Sequence, residues 1–137
     1  MDITISYVAV MGAAIVAYAV GALWHSPVGF GKYWMRLMGF DEHSMKSMPL
    51  SPTQAMTIGF FVTLLMAYVL AHIAVLVGAT AWQTSLELGF WVWLGFLAPT
   101  LANGWLWEGK TPKLFVFNAA YALVNIEIMA LVLGLWH

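Results

Sequence analysis

The sequence predicts an all-α membrane protein: a bundle of four transmembrane helices with a short cytoplasmic interfacial helix in the first loop. Three observations carry that prediction. Of the 137 residues, 63% are hydrophobic and 8% charged, against about 25% charged in a typical soluble domain. Four apolar stretches have spanning length, and the five basic residues crowd into two of the connecting loops. A water-soluble fold would lack the polar side chains to cover its surface.

The helices are expected at about 3–24, 53–77, 85–105 and 114–136, with the interfacial helix at about 29–38, all within one transmembrane domain of residues 1–137. Each long stretch runs about 20 to 25 residues, enough at ~1.5 Å per residue to cross a hydrocarbon core of ~30 Å. Residues 3–23 contain no Asp, Glu, Lys or Arg, and without a basic leader they read as a retained first helix rather than a signal peptide. Ala9, Ala13, Ala17 and Gly21 form a small-residue stripe on that helix, a surface that lets another backbone approach closely. In loop 1, Phe30, Trp34 and Leu37 recur at helical spacing opposite Lys32 and Arg36, the pattern of a helix lying in the interface. Gly39 can close it and Asp41 can cap a further turn.

Ser51-Pro52-Thr53-Gln54 supplies a capping serine, a first-turn proline and a glutamine that reaches back, so it opens the second helix. Ala67, Ala71, Ala74 and Gly78 give that helix a shorter stripe, and Gly78 can end it. The third helix can start from Thr80 with Gln83 or from Thr84 with Glu87, and Glu87 reads first as a cap or first-turn acid. Pro99 should bend this helix and free the carbonyl of Gly95. Thr111-Pro112 opens the fourth helix by the same cap-plus-proline device.

Lys32, Arg36 and Lys46 lie in loop 1, and Lys110 and Lys113 in loop 3. The positive-inside rule therefore puts loops 1 and 3 in the cytoplasm and both termini outside a cell (inner) membrane. Trp24, Trp34, Trp105 and Trp107 then mark the inner boundary and Trp82 and Trp136 the outer one, while Trp91 and Trp93 fall deeper. Gly21-Ala22-Leu23-Trp24-His25 and Gly104-Trp105-Leu106-Trp107-Glu108 hint at two related hairpins; shared end-of-helix chemistry explains the match as well.

Glu127 lies about thirteen residues into the last helix, and a carboxyl at that depth costs several kcal/mol unless it is paired or protonated. Such groups mark ion or proton paths, and a protonated acid serving packing is the competing reading. On a helical wheel Glu127 points away from Asn118, Tyr121, Asn125 and Met129, so the helix has polar groups on two faces. His72 has a similar depth and could pair with Glu127 as a proton relay or cation site, or simply pack. Asn103, Asn118 and Tyr18 could form an interhelical polar layer, joined by Asn125 as further packing or binding polarity.

Several classes are excluded or unsupported. Net charge is -1 and there is no cysteine, so neither a nucleic-acid footprint, a disulfide framework nor thiol chemistry is expected. No nucleophile elbow, phosphate loop, dinucleotide fingerprint or metalloprotease helix is present. His25, His43, His72 and His137 are scattered, so no metal, haem or other cofactor is expected, and no catalytic residue can be named.

The run Trp24-His25-Ser26-Pro27 followed by Phe30-Gly31-Lys32 and Trp34-Met35, with the later Glu108-Gly109-Lys110 and Leu114-Phe115, resembles the bacterial membrane family catalogued as domain of unknown function 1761. The resemblance spans nearly the whole chain. It implies a small four-helix membrane protein and implies no activity. Three readings stay open: a homo-oligomer that binds or moves an ion or solute through Glu127 and His72, an accessory or assembly subunit of a larger membrane complex, and a membrane enzyme acting on lipid or quinone. The lipid bilayer is the one partner common to all three.

Overall fold

The computed structural model describes residues 3–40, 44 and 46–136. Its elements are α1 (Tyr7–Trp24), α2 (Gly31–Met38), α3 (Pro52–Val77), α4 (Trp82–Leu106) and α5 (Pro112–Leu135). The described residues form no strand, and α1, α3, α4 and α5 are the four helices long and apolar enough to cross a membrane. The described residues therefore form the all-helical fold with four helices of spanning length that the composition predicts.

The helix ends follow local chemistry. Ser6 caps α1, its hydroxyl accepting from the Ala9 amide at 3.2 Å, so the helix starts at Tyr7 and the residues before it stay outside. Ser51 and Gln54 exchange the two capping-box bonds at 3.1 and 3.0 Å, and Thr111 accepts from Leu114 at the start of α5. Gly39 and Gly78 end α2 and α3 with φ of 72° and 70°, the left-handed conformation that a side chain would strain. The proposed cap at Asp41 lies outside the described residues.

The start of α4 differs from expectation. Ala81 is the capping residue, and Thr84 reaches back to the Ala81 amide at 3.2 Å. Neither threonine is the N-cap, and Glu87 sits in the second turn, exposed, too far along to cap anything. Further on, Pro99 has no N–H and its ring crowds the carbonyl four residues back. The helix answers with a π-turn over Trp93–Leu97, in which the Ala98 N–H bonds the Trp93 carbonyl, and the Thr100 hydroxyl donates to Phe96 O at 2.5 Å.

α5 is the hub, packing on α1, α3, α4 and α2, while α1 also packs on α3. The core is built of Ala9, Ala13, Ala14 and Ala17 from α1, Ala67 and Ala71 from α3, and Ile126, Met129 and Ala130 from α5. Both predicted alanine stripes are thus spent inside one chain. The close approach brings Asn125 Nδ2 to 2.9 Å from the Ala17 carbonyl, to which it donates. By contrast α4 leans on α5 and leaves an open apolar groove against α3, about 280 Å³ between Leu65, Val69 and Leu70 on one side and Val92 and Leu97 on the other. Ile58, Phe61, Leu65, Val69 and Leu76 run along the exposed side of α3 at helical spacing, an apolar face of the kind that lipid covers.

The five-residue repeat does not extend to the surroundings. Trp24 is half-buried among the rings of Phe30, Phe117 and Tyr121, whereas Trp107 is 83% exposed. Two energetic expectations follow from the core. Ala13 is 0% exposed, so Ala13→Leu should destabilise the bundle by about 1–3 kcal/mol through overpacking. Asn125→Leu should cost about 0.6 kcal/mol, the usual size of one interhelical hydrogen bond in lipid. Reversible unfolding in mixed micelles, followed by tryptophan fluorescence, measures both; a neutral Ala13→Leu would show that α1 and α5 are not in close contact.

Candidate functional site

The seam between α4 and α5 is assembled from small residues that seat polar ones. Gly89 on α4 faces Glu127 on α5, and a Cβ on Gly89 would collide with Glu127 Oε1. One step toward the Trp136 end the roles reverse, since a Cβ on Gly134 of α5 would collide with Ser85 Oγ of α4. Ser85 is fully buried and its hydroxyl donates to the Ala81 carbonyl at 2.7 Å. On the other side of Glu127 the π-turn aims the Trp93 indole across the seam, where Nε1 donates to the Ala119 carbonyl at 2.8 Å. Each helix therefore supplies a glycine where its neighbour supplies a polar group.

Glu127 Oε1 is buried and has no hydrogen-bond partner, although the residue as a whole is only partly covered. It lies eight residues before Leu135, the end of α5, or about 12 Å along the axis at ~1.5 Å per residue. A carboxyl whose enclosed oxygen meets no donor is stable there as the acid or with a cation beside it, because an unpaired charge at such depth costs several kcal/mol.

The remaining candidate residues go to separate places. His72 Nδ1 lies 2.9 Å from the carbonyl of Tyr68 in its own helix, with its ring 4.7 Å from that of Tyr68, and no hydrogen bond joins it to Glu127. Tyr18 donates to the Met56 carbonyl of α3 at 2.7 Å. Asn118 lines a cavity with Gly104 and Lys110, while Asn103 is exposed. These three do not form one layer, because each faces a different neighbour. Asn125 is the one that joins two helices in the core.

The motif after α1 is a tightly wound turn. His25 Nδ1 lies 2.9 Å from Gly21 O, the Ser26 hydroxyl donates to Leu23 O at 2.7 Å, and the Gly31 amide reaches Ser26 O at 3.0 Å. Pro27 is exposed beside them. Backbone passes so close that a Cβ on Gly31 would strike the His25 carbonyl. The turn lays the His25 ring 4.7 Å from Tyr121 and 5.2 Å from Trp34, and Tyr33 of α2 stacks edge-on against Phe117 at 5.6 Å. Its residues clamp α2 to α5. His43 and His137 lie outside the described residues, and among those described no three His, Cys, Asp or Glu cluster as a metal site.

Ser85, Gly89 and Gly134 were not singled out by sequence reasoning. Their signal was present as small residues four apart, Ser85 with Gly89 on α4 and Ala130 with Gly134 on α5, the spacing of a close helix crossing.

A family model described as a protein of unknown function, DUF1761, matches residues 8–134. No curated protein and no solved structure matches the chain.

Seating Glu127 on Gly89 has a measurable consequence. Gly89→Ala and Glu127→Ala should be non-additive, with a coupling of about 0.5–3 kcal/mol, because truncating the glutamate vacates the space the new methyl needs. Additive losses in the same unfolding assay would show that the carboxyl is not held in the seam.

Proposed function

Since the chain belongs to the DUF1761 family, whose description assigns no chemistry, we propose a role from the geometry: it binds, and passes across the bilayer, a proton or small cation at Glu127 in the α4–α5 seam. One observation carries the proposal. A carboxyl oxygen is enclosed between two spanning helices with a glycine opposite it and no donor within reach. A side chain kept only for packing would be expected to make a hydrogen bond in exchange for its burial.

The partial exposure of the rest of Glu127 gives the ion a way in from the flank of the seam. Phe90, Trp91, Leu94 and Phe96 of α4 stand exposed, and we place a second copy of the chain against this helix, so that the working form is a homo-oligomer. His72 hydrogen-bonds within α3 and takes no part in this reading.

In proteoliposomes carrying a pH-sensitive dye, Glu127→Gln should abolish pH-dependent proton or cation uptake, and Glu127→Asp should keep a measurable part of it. His72→Gln should leave the signal within about twofold of the parent, since it removes no group from the seam. Uptake unchanged in Glu127→Gln would overturn the proposal. Extraction from native membranes as a defined complex with foreign subunits would instead favour an accessory role, with Glu127 as packing.

A further inference from the structure

At the opposite end of the same helix pair lies a cavity of about 110 Å³, bounded by Trp105, Phe115, Asn118, Glu108 and Lys110 around Gly104. We infer that this cavity is a lipid site, which holds the headgroup of a phospholipid bearing a primary ammonium, Glu108 taking the ammonium and Lys110 the phosphate. The inference does not depend on the role given to Glu127.

The backbone builds the site. α4 ends at Leu106, and Gly109, at φ 74°, turns the chain back so that the Lys110 amide bonds Gly104 O at 3.0 Å. The bare face of Gly104 then becomes the floor under both charged side chains: a Cβ there would lie 3.4 Å from Glu108 Oε2 and 3.6 Å from Lys110 Cδ. The acid and the base both reach over this glycine and form no salt bridge with each other. Charges of opposite sign, unpaired over a common floor, match a zwitterion whose phosphate and ammonium are separated by a two-carbon spacer.

Asn118 adds an uncharged donor and acceptor on the α5 wall, suited to the phosphate or the ester oxygens beyond it. The other wall is apolar, with Trp105 and Phe115 stacked at 6.0 Å and 19°. Trp105 is 44% exposed, so this wall runs out onto the lipid-facing surface, along which a glycerol backbone and acyl chains can leave the cavity. Tryptophan at the end of a span and a lysine stem lying along apolar surface both belong at headgroup depth. A trimethylammonium group fits poorly, since it has no N–H to offer Glu108. The apolar groove between α3 and α4, lined by Leu65, Val69 and Leu97, has no such charged pair.

The test uses the full chain in nanodiscs of phosphatidylcholine doped equally with phosphatidylethanolamine and phosphatidylglycerol, with retained lipid counted by native mass spectrometry. Phosphatidylethanolamine should be retained preferentially. Glu108→Gln and Lys110→Met should each reduce its retention about tenfold, the equivalent of one charge-assisted hydrogen bond, and Lys32→Met should not change it. Both positions are exposed, so these variants should fold, and their helix content by circular dichroism verifies this. Equal retention of all three lipids, or retention unaffected by both variants, overturns the inference. Displacement of the lipid by equimolar free phosphoethanolamine would assign the site to a soluble zwitterion and overturn it as a lipid site.

Discussion

Close backbone contact between α1 and α5 is the constraint on which the rest of the bundle depends. Lipid tails are as apolar as leucine, so burying apolar side chains between spanning helices gains little from the hydrophobic effect; dispersion packing and interhelical hydrogen bonds must hold them together. Ala9, Ala13, Ala14 and Ala17 present almost no side chain to the interface and are at most 2% exposed. That absence lets Met129, fully buried, fill the space and lets the Asn125 amide reach a carbonyl on the neighbouring helix. It also sets where the next turns fall: Gly21 lies under the Tyr121 hydroxyl, and Tyr121 in turn meets Trp24 and His25. The turn into α2 is docked by rings whose positions the alanine stripe has already decided.

The second seam, between α5 and α4, works by a different exchange. Here each helix gives up a side chain at a glycine so that the other can bury a polar group, Ser85 against Gly134 and Glu127 against Gly89. The π-turn belongs to the same arrangement: Pro99 lacks an N–H and crowds the turn before it, the widened turn carries Trp93 toward α5, and its indole N–H finds the Ala119 carbonyl. Because α4 packs chiefly on α5 and faces a groove on its α3 side, it is joined to the bundle along its polar seam. A helix held in this way can open along its seam without disrupting the alanine core.

One pair of helices thus carries two chemically distinct features at its two ends. Near the Trp136 end a lone carboxyl is enclosed without a donor, and at the basic end an acid, a base and an amide surround a small open cavity. Glycine makes both possible, Gly89 by leaving room and Gly104 with Gly109 by letting the loop fold back over the helix end.

The sequence by itself determined the four spans, most of their caps and the two alanine stripes, because length, apolar composition and the chemistry of Ser51, Gln54, Thr111 and Gly78 act over a few residues and need no partner. It also placed Glu127 at depth and on a different face from Asn125, since helical geometry gives direction. It misjudged the start of α4 and the use of Glu87, where Ala81 takes the capping position and the Thr84 hydroxyl accepts from its amide. What only the tertiary structure decided is which neighbour each direction meets. Sequence puts His72 and Glu127 at similar depth, yet His72 bonds its own helix while the carboxyl faces Gly89; it groups Tyr18, Asn103 and Asn118 at one end, yet these turn to α3, the surface and the α4–α5 cavity. Depth and periodicity are properties of one helix, whereas partnership is set by how closely two backbones approach, and that depends on small residues from both helices at once.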